Sequence, residues 1–481
     1  MPNLAASSEQ RALELLQVLE SREKAQSSLL EFAQFTRPYY QANWHHRALC
    51  EKLDAFAEGR IKKLMVFAPP RSGKSELVSR CLPAYLLGRN PDARVAAASY
   101  AADLARLMGR AVQRSMDEAP YRALFPATQL EGSNIRTVAD GRYLRNSDEF
   151  EVVGKKGGYV CRGIGGGLTG RGFDFGIIDD PVKDASEAWS ETVRNGVWEW
   201  YTQVFLTRQE ANASILLTMT RWHEDDLAGR ILNSDDGKYW ELVKFQALNP
   251  AYEGGTLWPE KYSREWMEGQ RKALGSRSFE SLYQQEPRVG DGGIWRTGWF
   301  KQWRALPAAL TNYTQSWDFA AKDTKDGSYN VGQVWAENGA DKYLLDQVRF
   351  RGGMNDALTM VRALSNKWPQ CRAKLIEDKA NGSPILNMLQ QEIGGLIATN
   401  PGVRGKAERA QAVAPFIEAG NIWIPAEAGW LSDFLSEVEA FPNGAHDDQV
   451  DTASQALERL CVPVSSGGYE MMQDAMASLY D

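Results

Sequence analysis

Apolar positions along this chain follow two rhythms, and the switches between them mark its organisation. Ala12, Leu15, Leu16 and Leu19 stand three and four apart, which predicts an amphipathic helix near the N-terminus, placed either on the core or against a neighbouring subunit. Leu64–Phe67 is a short unbroken apolar run and predicts a buried strand. After a turn-forming stretch, Leu77, Val78, Cys81, Leu82 and Tyr85 return to helical spacing. Arg94–Ser99 predicts a second strand, and Leu104, Leu107, Met108 and Ala111 a second helix. Short strands and turns fill Ile135 to Arg162, and Phe175–Ile178 and Ser214–Met219 read as two further strands. Strands alternating with helices predict a mostly parallel, doubly wound α/β sheet, with functional groups at the strands' C-terminal ends.

Pro250 to Asp291 lacks strand periodicity, although Trp266 to Leu282 fits a helix, and Gly290–Gly293 reads as a boundary. Beyond it the order changes. Thr314–Phe319, Asn330–Trp335 and Lys342–Val348 are three strands on short connections, so antiparallel pairing is expected. Helices at Met354–Lys367 and Pro384–Glu392 then alternate with strands at Lys374–Asp378 and Leu396–Asn400. Another helix runs to about Ile417, followed by a strand at Ile422–Ile424 and a last helix from Gln449. Three antiparallel strands followed by alternating helices and strands is the order of a ribonuclease-H-like α/β domain.

Composition narrows the picture. At 481 residues the chain is too long for one core. No apolar run reaches membrane-spanning length, and Met1-Pro2-Asn3 does not open a secretory signal. Five cysteines without a CxxC pair argue against a zinc site or disulfide framework and fit a reducing cytosol. A net charge of −7 means that any nucleic-acid contact must come from local patches or from a partner. The 16 tryptophans are expected in cores and interfaces. Around Trp44-His45-His46-Arg47 the aromatic and polar residues form either a platform for an adenine base or a buried helix start.

The loop between the first strand and helix ends in Gly73-Lys74-Ser75. Strand, loop, helix is the setting of a phosphate-binding loop, in which backbone N–H groups of Ser72 and Gly73 and the helix N-terminus face phosphates. Lys74 is expected on the β/γ-phosphates, the Ser75 hydroxyl on Mg²⁺, and Arg71 adds charge at the γ-phosphate. The usual first glycine is Ala68 here. Phe175–Ile178 ends in Asp179-Asp180, which fits an acidic pair holding Mg²⁺ (Asp179) and orienting the attacking water (Asp180). Asp180 stands where many ATPases have glutamate, one methylene longer. Arg171, in a glycine-rich loop, fits a finger reaching a neighbour's γ-phosphate. Thr218–Arg221, with Thr220 toward the nucleotide, fits a γ-phosphate sensor.

A second constellation is acidic. Asp318 lies on the first strand of the later domain, Asp378 ends its fourth strand beside Glu377, and Asp447, Asp448 and Asp451 crowd the start of the last helix. Carboxylates gathered together are stable when divalent cations neutralise them, and two cations support phosphodiester cleavage. Strand alternation lets only one of Glu377 and Asp378 face the metals. Asp318 and Asp378 are the expected ligands for Mg²⁺ or Mn²⁺, completed from Asp447, Asp448 and Asp451, with Glu377 as a further candidate. Lys406 and Arg409 fit contacts to DNA phosphates.

Ala-Pro-Pro-Arg-Ser-Gly-Lys-Ser-Glu (68–76), Gly-Leu-Thr-Gly-Arg-Gly-Phe-Asp-Phe-Gly-Ile-Ile-Asp-Asp-Pro (167–181), Met-Thr-Arg-Trp-His-Glu-Asp-Asp-Leu (219–227) and His-Asp-Asp-Gln-Val-Asp (446–451) together resemble the large terminase subunit of tailed bacteriophages. The resemblance covers roughly Trp44 to Leu460. It implies an ATP-driven motor that moves double-stranded DNA into a procapsid, joined to a nuclease that cuts concatemers at initiation and termination. It implies a ring of copies, usually five, docked transiently on the portal protein in the host cytoplasm, with a small terminase subunit as recognition partner. The expected division is a helical segment (1–60), a P-loop ATPase domain (61–249), a lid or linker (250–293), a ribonuclease-H-like domain (294–465) and a loose tail (466–481). Two rival readings are a repair helicase–nuclease, which would need strand-separating motifs and stacking platforms absent here, and a non-catalytic adaptor, which the intact lysine, serine and aspartates oppose.

Overall fold

Along Lys63–Phe67 the side chains of Leu64 and Val66 enter one apolar core and those of Met65 and Phe67 another, on opposite faces of one sheet. This alternation is what a strand buried on both sides requires. The computed structural model describes residues 2–132, 141–168, 170, 172–287, 293–320, 329–378, 382–399, 405–442, 444 and 446–461. The chain forms two units, Met1–Gly269 with Ser278–Pro287 and Gln270–Arg277 with Arg288–Asp481.

The first unit carries β1 (Lys63–Phe67), β2 (Arg94–Ser99), β3 (Glu149–Glu151), β4 (Gly158–Gly163), β5 (Phe173–Asp179), β6 (Gln209–Met219) and β7 (Glu241–Lys244). Their order is β3-β4-β2-β5-β6-β1-β7, and every neighbour pair is parallel except β3–β4. This is the doubly wound P-loop sheet. The register sets Phe67 beside Met219 and Asp179 beside Thr218, so β1, β6 and β5 finish together. Helices Leu29–Thr36, Trp44–Ala57, Leu82–Arg89 and Ala102–Asp117 supply one core. Helices Glu191–Glu199 and Leu227–Leu232 supply the other. The segment Glu76–Cys81 that opens the helix after the phosphate loop is wound as a π-helix.

β7 was not foreseen: its Glu-Leu-Val-Lys sequence has no apolar run, and it is an edge strand with alternating exposure. The expected N-terminal helix forms, Pro2–Ser27, and its apolar stripe lies off the core, with Leu15, Leu16 and Leu19 64%, 54% and 58% exposed.

The second unit carries β8 (Lys301–Trp303), β9 (Thr311–Asp318), β10 (Asn330–Asn338), β11 (Asp341–Phe350), β12 (Ala373–Glu377), β13 (Leu396–Thr399) and β14 (Ile422–Pro425), in the order β13-β12-β9-β10-β11-β14-β8. β9–β10–β11 are antiparallel and the other pairs parallel, the ribonuclease-H-like arrangement. Helices Met354–Lys367 and Gly382–Leu389 cover one face. Lys406–Glu418, Leu431–Ala440 and Asp448–Cys461 cover the other. Trp295, Trp317 and Trp335 are wholly buried, so these tryptophans are packing residues. No helix among the described residues is long and apolar enough to cross a membrane.

Candidate active sites

The first site lies where β1, β5 and β6 end. The turn after β1 needs left-handed backbone, supplied by Gly73 at φ 86° and by Arg71 at φ 55°. Lys74 is 7% exposed; its Nζ lies 2.9 Å from Asp180 Oδ2 and donates to Thr220 Oγ1 at 3.0 Å. Thr220 Oγ1 donates in turn to the Ala68 carbonyl at 3.1 Å, and its N–H donates to Asp180 Oδ1 at 2.9 Å. Asp180 holds this position at φ 46°. One threonine therefore ties the phosphate loop, the lysine and the acidic pair together.

Asp179 is 1% exposed and accepts from Ser75 Oγ at 3.3 Å and Ser79 Oγ at 2.6 Å. Burial first, then the charge of Asp180, pushes its carboxyl up to about 6. A buried carboxylate beside a loop hydroxyl is a donor set suited to Mg²⁺. Ser79 went unnoticed in the sequence, although it follows Ser75 by four residues and so shares its helix face. Arg221 is not at the phosphate end: its Nε pairs with Asp226 Oδ2 at 2.7 Å and its guanidinium stacks 4.8 Å from the Phe67 ring. Its N–H donates to Gln285 Oε1 at 3.0 Å, another partner the sequence did not announce. Arg71 has an exposed side chain, and Arg171 lies outside the described residues.

In the second unit, Asp318, Glu377 and Asp451 each offer a carboxylate oxygen, and these oxygens lie within 4.8 Å of one another. The strand residue grouped with Asp318 is Glu377, where Asp378 was expected. The reason is register. β12 runs parallel to β9 with Ile376 beside Trp317, so the next residues, Glu377 and Asp318, stand side by side on one face. Asp378 is one step further on and accepts from Ser383 Oγ. On the last helix, Asp451 faces the sheet. Ser316 Oγ on β9 donates to the Thr452 carbonyl at 2.8 Å and locks that helix down. Asp447 stands outside the trio, accepting from Lys406 Nζ at 2.8 Å, and Asp448 accepts the Tyr329 N–H at 3.0 Å.

The trio is an electrostatic problem that cations solve. Burial first, then Asp451, raises the Asp318 carboxyl to about 8. Asp451 Oδ2 is buried without a hydrogen-bond partner among the described residues, with Lys406 Nζ 3.4 Å away. Arg409 is 4% exposed and holds Glu377 Oε2 at 3.4 Å, while pairing with Asp451. Lys406 and Arg409 thus face the carboxylates, not solvent-borne phosphates as the sequence suggested. An orphaned buried oxygen among converging carboxylates fits divalent-metal ligation.

A P-loop ATPase joined to a ribonuclease-H-like, metal-dependent nuclease is the class that these two sites and folds define. The family profile described as "Terminase large subunit, T4likevirus-type, N-terminal" matches residues 65–302, and that of the "Terminase RNaseH-like domain" matches residues 315–460. The chain belongs to the terminase large subunit family, and is an ATPase and nuclease of viral DNA packaging. The helicase and adaptor readings are not favoured. Solved structures that resemble it include the large terminase of a thermophilic bacteriophage in complex with ADP (10% identity, 86% of this chain and 100% of that one, TM-score 0.46). The HK97 bacteriophage large terminase is another (9%, 80% and 86%, TM-score 0.36). The large terminase nuclease from thermophilic phage G20c with bound magnesium is a third (15%, 36% and 99%, TM-score 0.28). No curated protein matches the chain.

Proposed function

We propose that Lys74, Ser75, Asp179, Asp180 and Thr220 turn over ATP to move double-stranded DNA, and that Asp318, Glu377 and Asp451 cut it. The motor is a ring of copies, five by family resemblance, docked on the procapsid portal in the host cytoplasm, with a small terminase subunit selecting the DNA. The observation that carries the reading is the Lys74–Thr220–Asp180 triangle.

Lys74 is held by Asp180. A γ-phosphate competes for the same ammonium, because a charge-assisted contact to phosphate is at least as strong as the carboxylate pair. Asp180 then loses its cation but keeps the Thr220 N–H, and is left as an acceptor able to orient water. The change is felt at Thr220, the residue after β6, which leads into Arg221. That is a route from phosphate state to strand position. Mg²⁺ held by Ser75 and Asp179, and two Mg²⁺ or Mn²⁺ ions held by the carboxylate trio, would supply phosphate-charge neutralisation and Lewis acidity when bound. Asp447 stands beside the trio and holds the Lys406 side chain, while Asp378, next to Glu377, is held by Ser383.

A Lys74→Ala variant is expected to lose ATP turnover and keep metal-dependent cutting, while Asp318→Ala does the reverse. Phosphate release and nicking of plasmid DNA, measured on both variants, test the assignment. Full ATP turnover by Lys74→Ala, or cutting by Asp318→Ala, would remove that residue from its site.

A further inference from the structure

We infer that His45, His46 and Lys261 form an outer clamp that aims the backbone N–H groups of the phosphate loop at the nucleotide. The inference rests on the phosphate-loop reading and concerns residues outside the loop. His45 and His46 begin the helix Trp44–Ala57 and are 2% and 1% exposed. Both Nε2 atoms reach one oxygen, the carbonyl of Ser72, at 3.0 Å and 2.8 Å. A carbonyl only accepts, so both Nε2 atoms carry the proton. For His46 a second contact agrees, because its Nδ1 accepts the Asn43 N–H at 3.0 Å. Beside them Lys261 Nζ donates to the Arg71 carbonyl at 3.2 Å.

Consecutive carbonyls of the loop are therefore held from outside. In a planar trans peptide unit the N–H points away from the C=O. Fixing the Arg71 and Ser72 carbonyls outward turns the Ser72 and Gly73 N–H groups inward, where a phosphate-binding loop needs donors. The fit is close: a Cβ on Gly73 would stand 2.5 Å from His46 Nε2, so the imidazole occupies the space that glycine leaves.

Trp258 ties the three together. Its ring meets His45 and His46 edge-on at 5.4 Å and 4.9 Å, and Lys261 Nζ sits 4.6 Å over it. Tyr262 flanks the same ammonium at 5.2 Å. The clamp thus joins a helix before the loop to a stretch 190 residues after it. That stretch lies in the segment read from sequence as a lid or linker, and through Lys261 it contributes to the nucleotide site.

The test is steady-state ATP turnover and ADP affinity for His45→Ala/His46→Ala, His46→Gln and Lys261→Met, with Lys74→Ala in parallel. The double variant is expected to raise the ATP KM and weaken ADP about tenfold, the size of a misdirected hydrogen bond to a charged group. kcat is expected to fall less. Lys261→Met should show a smaller shift of the same kind. Glutamine places an N–H near the histidine Nε2, so His46→Gln should stay close to wild type. If the double variant does not fold, Lys261→Met and His46→Ala carry the same comparison, and retained DNA cutting shows that the second unit is intact. Unchanged KM and ADP affinity in folded variants, with only the melting temperature lowered, would overturn the clamp. Full turnover by Lys74→Ala would instead overturn the phosphate-loop reading beneath it.

Discussion

Backbone strain at single residues marks the nucleotide site. Among the described residues, four that are not glycine have left-handed backbone, Arg71, Asp180, Gln285 and Asn312, and the first two belong to that site, while Gln285 accepts the Arg221 N–H. Such conformations persist where surrounding contacts over-determine them. For Asp180 those contacts are Lys74 and the Thr220 N–H. Asp180→Asn keeps the shape and removes the charge, so ADP should still bind while the turnover rate falls about a hundredfold or more. A turnover rate near wild type would take water orientation away from Asp180. In the other unit, cutting should vanish in Glu377→Ala and largely survive in Asp378→Ala, measured with Mn²⁺ or Mg²⁺ on the same DNA. The sequence showed both acids but not the β9–β12 register that chooses between them. Lys74 and Ser75 were legible, since a tripeptide between an apolar run and a helix repeat is local information. The partners of the Arg71 and Ser72 carbonyls were not, because Lys261, His45 and His46 meet the loop only through folding.

The same residue scale gives a pH prediction. Burial first, then the charge of His46, lowers His45 to about 4 from a usual value of 6.5. The unfolded chain therefore takes up a proton that the folded site refuses. The contribution is fully present above about pH 6.5 and is lost as pH falls toward 4, on the order of 3 kcal/mol in all. Between those pH values wild type should lose more stability than His45→Gln, read as the difference in denaturant midpoints. Equal losses would show that His45 stays accessible to protons.

At the scale of elements, the nuclease site is delivered by one strand pair and two helices. The helix Lys406–Glu418 brings Lys406 and Arg409 onto the trio as internal counter-charges. Carboxylates of Asp318 and Asp451 hold Lys406 above its usual range although burial opposes it. Removing that ammonium leaves crowded carboxylates uncompensated, a modest cost because the side chain is 38% exposed. Lys406→Ala should melt a few degrees lower than wild type in chelator, and millimolar Mg²⁺ should restore most of the loss. Recovery no greater than wild type's own response to Mg²⁺ would separate Lys406 from the metal site. Elements with strong periodicity, such as β1, β2, β6 and the antiparallel β9–β11, were readable from sequence. The edge strands β7 and β8 were not, because short half-exposed strands carry no apolar run and owe their pairing to neighbours.

Across the whole molecule, each unit contains its own carboxylate site, and the nucleotide site raises the question of which cations meet the phosphate charge. Among the described residues, Lys74 is the cation ion-paired at the acidic Asp179–Asp180 end, and Arg221 is committed to Asp226. The charge that develops on a γ-phosphate during transfer is commonly met by an added arginine, supplied in cis or from a neighbouring subunit. The glycine-rich sequence before β5 carries Arg171, the candidate for an arginine offered to the next copy in the proposed ring. Mixing distinguishes the two geometries. Arg171→Ala and Lys74→Ala subunits should each be inactive alone, the first for want of the finger and the second for want of the phosphate lysine. In a mixed ring a Lys74→Ala subunit still offers its arginine to an Arg171→Ala neighbour whose phosphate loop is intact, so part of the turnover returns. Recovery should rise with total protein concentration, because it needs contact between copies. A cis arginine predicts no recovery at any ratio, and that result in an assembled ring would place the arginine's action within one chain.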